Sequence, residues 1–379
     1  MIGRIVLGGG IAAAAAAGLG WTIARRLTAP VGPRTFDLTI RSVEHDDNGD
    51  LIVLDRTEQT TAHGIYNLWF EHGGWAQLST DIIGRGPTRV ARRITGLTSG
   101  STPKAGDRTS WSGIYYATPA DAGLHARDIT ITTPAGRCPA WRIEGDPSVW
   151  AIHIHGLGST RASTLRGVLA ATELGYTSLV VSHRNTTEGP RVGTGRTTLG
   201  HTETSDVDEA IGYAVRRGAQ QVVLFGWSMG AAIALQLADH PRHDGLIAAL
   251  VLDSPVLNWT EVIKTNCVRS GLPAAAGHLA IPWLTLHPPP RAVGLLGRIP
   301  LHSFDWTARS ADLTTPTLIL HGTRDDSVPI QVSQALRHAR PDLVELETFD
   351  AGHTLCWNSD PDRWHKSATT WLSARRDPP

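Results

Sequence analysis

Gly226-Trp227-Ser228-Met229-Gly230 sets a serine between two glycines, each two residues away. The apolar run QVVLFGW (221–227) leads into it and AAIALQLA (231–238) follows, so the spacing predicts a serine on a strand-to-helix turn. At such a nucleophile elbow the backbone is strained and the hydroxyl projects above the sheet. Gly226 and Gly230 let strand and helix approach closely, and the Met229 N–H, at the helix start, can face a developing oxyanion. The alternative is a glycine-rich turn whose serine merely caps the helix. A serine hydroxyl is a poor nucleophile at neutral pH, so the chemistry needs a base and an acid that orients the base.

The chain supplies both after the serine. His321-Gly322-Thr323-Arg324-Asp325-Asp326 follows the apolar run TLIL, which puts an acid just beyond a strand end. Asp325, 97 residues after Ser228, is the expected acid, and Asp326 is its competitor. Asp350-Ala351-Gly352-His353 follows VELETF, which makes His353 the expected base, 28 residues after Asp325. With 17 histidines in the chain, a surface role is the alternative for His353. His321 and His183 also end strands and are read as structural. The second oxyanion donor is expected at the backbone N–H of Leu157, in His155-Gly156-Leu157-Gly158 after the run VWAIHIH. His153 and His155 share one strand face, but no third ligand stands nearby, so no metal site is expected. The chemistry requires no cofactor.

These residues need a sheet to hold them. Near-continuous apolar runs at 149–155, 177–183, 221–227, 247–253, 317–322 and 344–349 alternate with helical patterns, as in a mostly parallel sheet covered on both faces. DITIT (128–132) and PAWRI (139–143) read as an opening hairpin. Upstream, FDLTI, LIVL, GIYNLWF and TRVARRI are short and β-branched or aromatic, which predicts a β-rich region over 36–126. LTAPVGPRT (27–35) reads as a linker. The uncharged stretch Ile5–Ala24, flanked by Arg4, Arg25 and Arg26, is long enough to span a bilayer; residues 1–26 are expected to be a single-pass membrane anchor. A cleaved signal peptide and a buried helix are the alternatives. The excess of arginine after the stretch leans toward a cytoplasmic catalytic domain. Balanced charge, 35 basic against 35 acidic residues, argues against nucleic acid as a partner. Three scattered cysteines exclude a disulfide scaffold.

GWSMG, HGLG, HGTRDDSVP and DAGH, in this order, resemble the α/β-hydrolase superfamily over about residues 127–376. Among its branches the chain is similar to the serine aminopeptidase-like group of membrane-anchored bacterial hydrolases, in which the acid is the fifth residue of HGxxDxxVP, Asp325 here. The resemblance implies an α/β fold with a mostly parallel eight-stranded sheet and helices on both faces. It also implies a catalytic domain at 127–379 with a candidate cap at 254–308, where Trp259, Trp283 and Trp306 could wall an acyl pocket. The polar loop 184–199 could border the site. The function then expected is a serine hydrolase that cleaves a small-molecule ester or thioester through an acyl-enzyme, with the triad Ser228, Asp325 and His353. A peptidase or amidase, an acyltransferase with the same triad, and a non-catalytic membrane-anchored binding protein on this scaffold are the alternatives.

Overall fold

A computed structural model of the chain describes residues 2–286 and 289–376, with side chains over 13–286 and 290–375. The runs expected as strands form a single eight-stranded sheet: β8 (Ala126–Thr133), β9 (Gly136–Ile143), β10 (Asp146–Ile154), β11 (Tyr176–Val181), β12 (Gln221–Trp227), β13 (Ile247–Asp253), β14 (Thr317–Gly322) and β15 (Val344–Phe349). Their order is β15-β14-β13-β12-β10-β11-β9-β8. From β11 to β15 every pairing is parallel, and β8 and β9 add an antiparallel hairpin at one edge. Alternation along β12 shows why the runs are continuous. Val222 and Leu224 enter the core on one face, while Val223, Phe225 and Trp227 enter the core on the other.

The β-rich segment is a separate seven-stranded antiparallel sheet. It consists of β1 (Leu38–Thr39), β2 (Ser42–Asp46), β3 (Gly49–Asp55), β4 (Tyr66–Phe70), β5 (Trp75–Gly84), β6 (Arg89–Leu97) and β7 (Arg108–Ser112), in the order β1-β7-β4-β5-β6-β3-β2. Both faces of β3 are covered: Ile52 and Leu54 join one apolar cluster, Leu51 and Val53 another with Ala91. Arg92, on β6, is fully buried. Its guanidinium donates to the carbonyls of Thr60 (3.2 Å), Ala62 (3.0 Å), Gly64 (2.7 Å) and Ser79 (2.7 Å), and so pins the loop between β3 and β4. Its Nε has no hydrogen-bond partner among the described residues, so the four carbonyl contacts of the two terminal nitrogens are what offset the cost of burying the cation.

The membrane anchor is corrected. A helix does run over Ile2–Leu27, but among the described residues no helix is long and apolar enough to cross a membrane. The side chains of residues 1–12, part of the expected span, lie outside the described residues. The later half of the helix packs on the body of the protein. Ala24 is fully buried in the main core, with Leu19, Ile23 and Leu27 against it. The Trp21 indole donates to Ala292 O (2.9 Å), and Arg196 donates to Arg25 O (2.7 Å). The glycine and alanine content that suggested a weak membrane span instead permits close approach. A Cβ at Gly20 would overlap the backbone carbonyl of Leu279. The single-pass membrane location and its lean to the cytoplasmic side fall with the anchor.

Gly20→Val is therefore expected to lower stability by about 1–3 kcal/mol through overpacking. It should also expose Arg25 and Arg26, so that limited trypsin digestion cuts there several-fold faster than in the wild type. Unchanged digestion and melting would mean that the helix does not dock as described.

Candidate active site

Ser228 lies between β12 and the helix Met229–Ala238, with φ 53° and ψ −114°. A non-glycine residue reaches that conformation only when its surroundings impose it. Here the glycines impose it. A Cβ at Gly226 would lie 2.6 Å from Ala231 Cα, and one at Gly230 would overlap the carbonyl of Ile154. The Ser228 N–H donates to Asp253 O (3.0 Å), which ties the turn to the end of β13.

The structure brings Ser228, His353 and Asp325 together. The Ser228 hydroxyl is 2.9 Å from His353 Nε2, and His353 Nδ1 is 2.7 Å from Asp325 Oδ2. His353 follows β15, and Asp325 follows β14. The Asp325 side chain is fully buried. Burial alone would raise its pKa; hydrogen bonds from His321 and His353, the charge of His353 and the Val328 N–H outweigh burial and hold the carboxyl well below the usual carboxylate range. Its Oδ1 accepts from the N–H groups of Ser327 (2.9 Å) and Val328 (2.8 Å). Asp326 is not at the site. Its side chain is exposed and faces Arg269 at 3.5 Å.

His321 is more than a strand-end residue. Its Nε2 faces Val328 O (3.1 Å) and Asp325 Oδ2 (3.3 Å), both acceptors, so that nitrogen carries the hydrogen; Nδ1 is left to accept from the Ser333 hydroxyl (2.8 Å). This support for Asp325 was not expected from the sequence. Its only signal was a histidine four residues before Asp325.

Leu157 and Ser228 line the same cavity, of about 280 Å³. Gly156 passes so close that a Cβ there would meet Ser228 Cβ at 3.0 Å. His155 Nδ1 lies 2.9 Å from Gly156 O and must donate to it. In a trans peptide the C=O and N–H point in opposite directions, so this bond turns the Leu157 N–H away from His155. Among the described residues, no backbone acceptor takes the N–H of Leu157 or Met229. His183 stacks on His155 with ring centroids 4.3 Å apart. His153 stacks on Phe225 (4.7 Å), and its Nε2 lies 3.2 Å from the Ser178 hydroxyl.

The walls of this cavity differ from expectation. Among the described residues, none of 254–308 lines it. Trp259 and Trp306 are core residues, and the Trp259 indole donates to Leu199 O (3.0 Å). The loop 184–199 borders a different pocket, with Gly294–Arg298. Gly113 and Ile114, just past β7 of the N-terminal sheet, form part of the wall instead, with Arg166 and Leu355; a Cβ at Gly113 would lie 2.5 Å from Leu355 Cδ2. Asn358 secures them: its side-chain amide donates to Ile65 O (2.8 Å) and Gly113 O (3.0 Å), and its oxygen accepts from the buried Arg166 (3.0 Å). Arg166 also donates to Thr354 O (2.8 Å), next to His353. Nothing in the local sequence marks Gly113, Asn358 or Arg166, because their partners are far away in the chain.

Residues 151–366 match the alpha/beta hydrolase family. The chain belongs to that family. In this hydrolase-family chain, residues 39–112 match a second model, a domain of unknown function (DUF8805). No curated protein matches the sequence. Among solved structures, the esterase Pf2001 of Pyrococcus furiosus is similar, with a TM-score of 0.53 at 19% identity over 69% of this chain and 96% of that chain. A second crystal form of the same esterase gives 0.52 at 21% over 69% and 95%. A thermophilic esterase from Thermogutta terrifontis has a TM-score of 0.46 at 20%, over 66% and 100%. At such identities the likeness to Pf2001 speaks for the fold alone.

Burial makes the strand histidines acid-sensitive. Desolvation pushes His153 down from 6.5 to about 3 and His155 well below 6.5. In the unfolded chain both take a proton near 6.5, whereas the folded chain leaves them neutral. Below that pH the unfolded state binds more protons, so stability falls with pH by up to about 1.4 kcal/mol per unit for each histidine. Urea unfolding at pH 7 and pH 5 should show this loss. In His153→Phe the loss should shrink by about one histidine's share. An unchanged slope would contradict a neutral buried His153.

Proposed function

We propose that the chain is a serine hydrolase that cleaves a carboxylic ester or thioester through an acyl-enzyme. The continuous hydrogen-bonded line from Ser228 through His353 to Asp325 carries the proposal. Ser228 Oγ bonds the acyl carbon as its proton passes to His353 Nε2. His353 returns that proton to the departing alcohol or thiol as the acyl–heteroatom bond breaks. Water then attacks the acyl-serine, loses a proton to His353 and releases the acid, and the proton goes back to Ser228.

Asp325 orients His353 and balances its charge when it is protonated, and four hydrogen bonds keep the carboxylate ready for that role. Leu157 and Met229 offer the two N–H groups for the oxyanion, with His155 as a positioning residue for the first. The family match and the esterase fold relatives are consistent with this chemistry.

Incubation of the full chain with a fluorophosphonate should label Ser228, and Ser228→Ala should abolish labelling and the turnover of p-nitrophenyl acetate. Asp325→Asn should lower kcat by roughly 10³–10⁴, the cost of a misoriented histidine. Asp326→Asn, on an exposed ion pair, should stay within about twofold. Labelling that survives Ser228→Ala, or equal losses at the two aspartates, would refute the assignment.

A further inference from the structure

Two cavities meet at His353. The smaller, about 280 Å³, holds Ser228, Leu157 and Trp227. The larger is a groove of about 700 Å³ between the N-terminal sheet and the loops after β14 and β15. Gly113, His353 and Leu355 line both, which makes them the junction. Ser228 lines only the smaller, and Gly352, Ala351 and Asp350 line only the larger, so the groove begins on the far side of His353 from the nucleophile.

This arrangement divides an ester into its two halves. The base must hand its proton to the leaving group, so the leaving group lies against His353. The acyl carbon lies at Ser228. The chamber around Ser228 falls below the roughly 300–1,000 Å³ of pockets that hold drug-sized molecules, while the groove is well within that range. Ile114, Leu355 and Trp227 give the chamber apolar walls close to the nucleophile.

The groove has a different lining. Trp111, half-buried and tilted against Tyr66 with centroids 4.7 Å apart, offers an aromatic face. Glu58, Gln59 and His63 stand exposed on the loop that Arg92 pins through carbonyl groups, so these polar side chains sit on a fixed backbone. On the opposite side the charges are paired, Arg324 with Asp350 (2.6 Å) and Arg269 with Asp326 (3.5 Å). Asp37 and Glu58 also line the groove, without an ion pair among the described residues. Carboxylates, an amide, an imidazole and an aromatic face suit a molecule with many hydroxyl groups and disfavour an anion. They do not suit an alkyl chain, which could not satisfy them.

We propose that the N-terminal β-sheet is the leaving-group platform of this hydrolase, and that its substrates are short-chain acyl esters of a polyhydroxylated alcohol, a sugar. The proposal rests on the serine-hydrolase function above and gives a role to the domain of unknown function. Ser228 takes the short acyl group, the sugar hydroxyl leaves into the groove with the proton from His353, and water completes the hydrolysis.

The test uses the full chain and four probes: p-nitrophenyl acetate, p-nitrophenyl octanoate, ethyl acetate and a mono-O-acetylated methyl glucoside. Acetate should be preferred over octanoate, and the acetylated glucoside over ethyl acetate, each by at least about tenfold in kcat/KM. The double variant Glu58→Ala/His63→Ala removes two exposed groups from a loop held by its backbone. It should lower kcat/KM for the glucoside by about tenfold or more, and at least about fivefold more than for ethyl acetate, whose leaving group is too short to reach along the groove, while fluorophosphonate still labels Ser228. Ile114→Ala should shift the chain-length preference toward longer acyl groups. Preference for octanoate, absence of preference for the glucoside, or equal loss on the glucoside and ethyl acetate in the double variant would overturn the proposal while fluorophosphonate labelling of Ser228 still upheld the hydrolase. Absence of labelling would overturn both.

Discussion

The backbone of Ser228, held at φ 53°, is the constraint around which the rest of the site is arranged. A side chain in that region costs on the order of 1–3 kcal/mol and persists only if the surrounding structure overdetermines it. Here the parallel sheet does so. β10 and β13 flank β12, Gly230 lies against the end of β10, and the Ser228 N–H is held by the last residue of β13. Two neighbouring loops carry similar strain: Ser254 has φ 49° and Thr354 has φ 55°, and the Thr354 N–H donates to the Ser254 hydroxyl (3.0 Å). The loop that carries His353 is thus fastened to the strand beside Ser228.

A second set of bonds joins the two sheets. Asn358 reaches Ile65 and Gly113 on one side and Arg166 on the other, and the Ile65 N–H donates back to Asn358 O (2.8 Å). Gly64 lies so close to Asn358 that a Cβ would overlap its carbonyl. Tyr115 and Tyr116 pack on Trp357 at 5.7 and 5.8 Å. The N-terminal sheet therefore belongs to the wall of the site and is not an appendage. The 254–308 segment, placed by chain order where a cap would be expected, packs instead against the N-terminal helix: Gly20 lies on Leu279, and Trp21 bonds Ala292.

Much of the hydrolase part was legible in the sequence because its cues are local. A strand buried on both faces must be apolar throughout, and runs such as IAALVLD and TLILHG became β13 and β14 within a residue of expectation. Ser228 and Asp325 follow such strands and His353 follows the edge strand β15, so the chain order of strand ends singled out all three residues. In the N-terminal region four strands match recognisable runs, whereas β2, β5 and β7 do not. Their burial alternates or is interrupted; in β5 only Ala76 and Leu78 are buried and its second half faces outward, and exposed strand positions carry little pattern.

The sequence by itself determined the strand–turn–helix at Ser228, the alternating α/β order and the presence of a β-rich segment, since each follows from side chains within one or two turns of chain. Only the tertiary structure decided whether Ile2–Leu27 is an anchor or a packed helix, because glycine and alanine serve a weak membrane span and a close helix contact equally well until the partner at Leu279 is known. It alone shows that of Asp325 and Asp326 the first meets His353: the one-residue offset sends one carboxylate to His353 and the other to solvent. It also set Gly113 and Ile114 beside Ser228, a juxtaposition across more than a hundred residues that rests on the side-chain amide of Asn358.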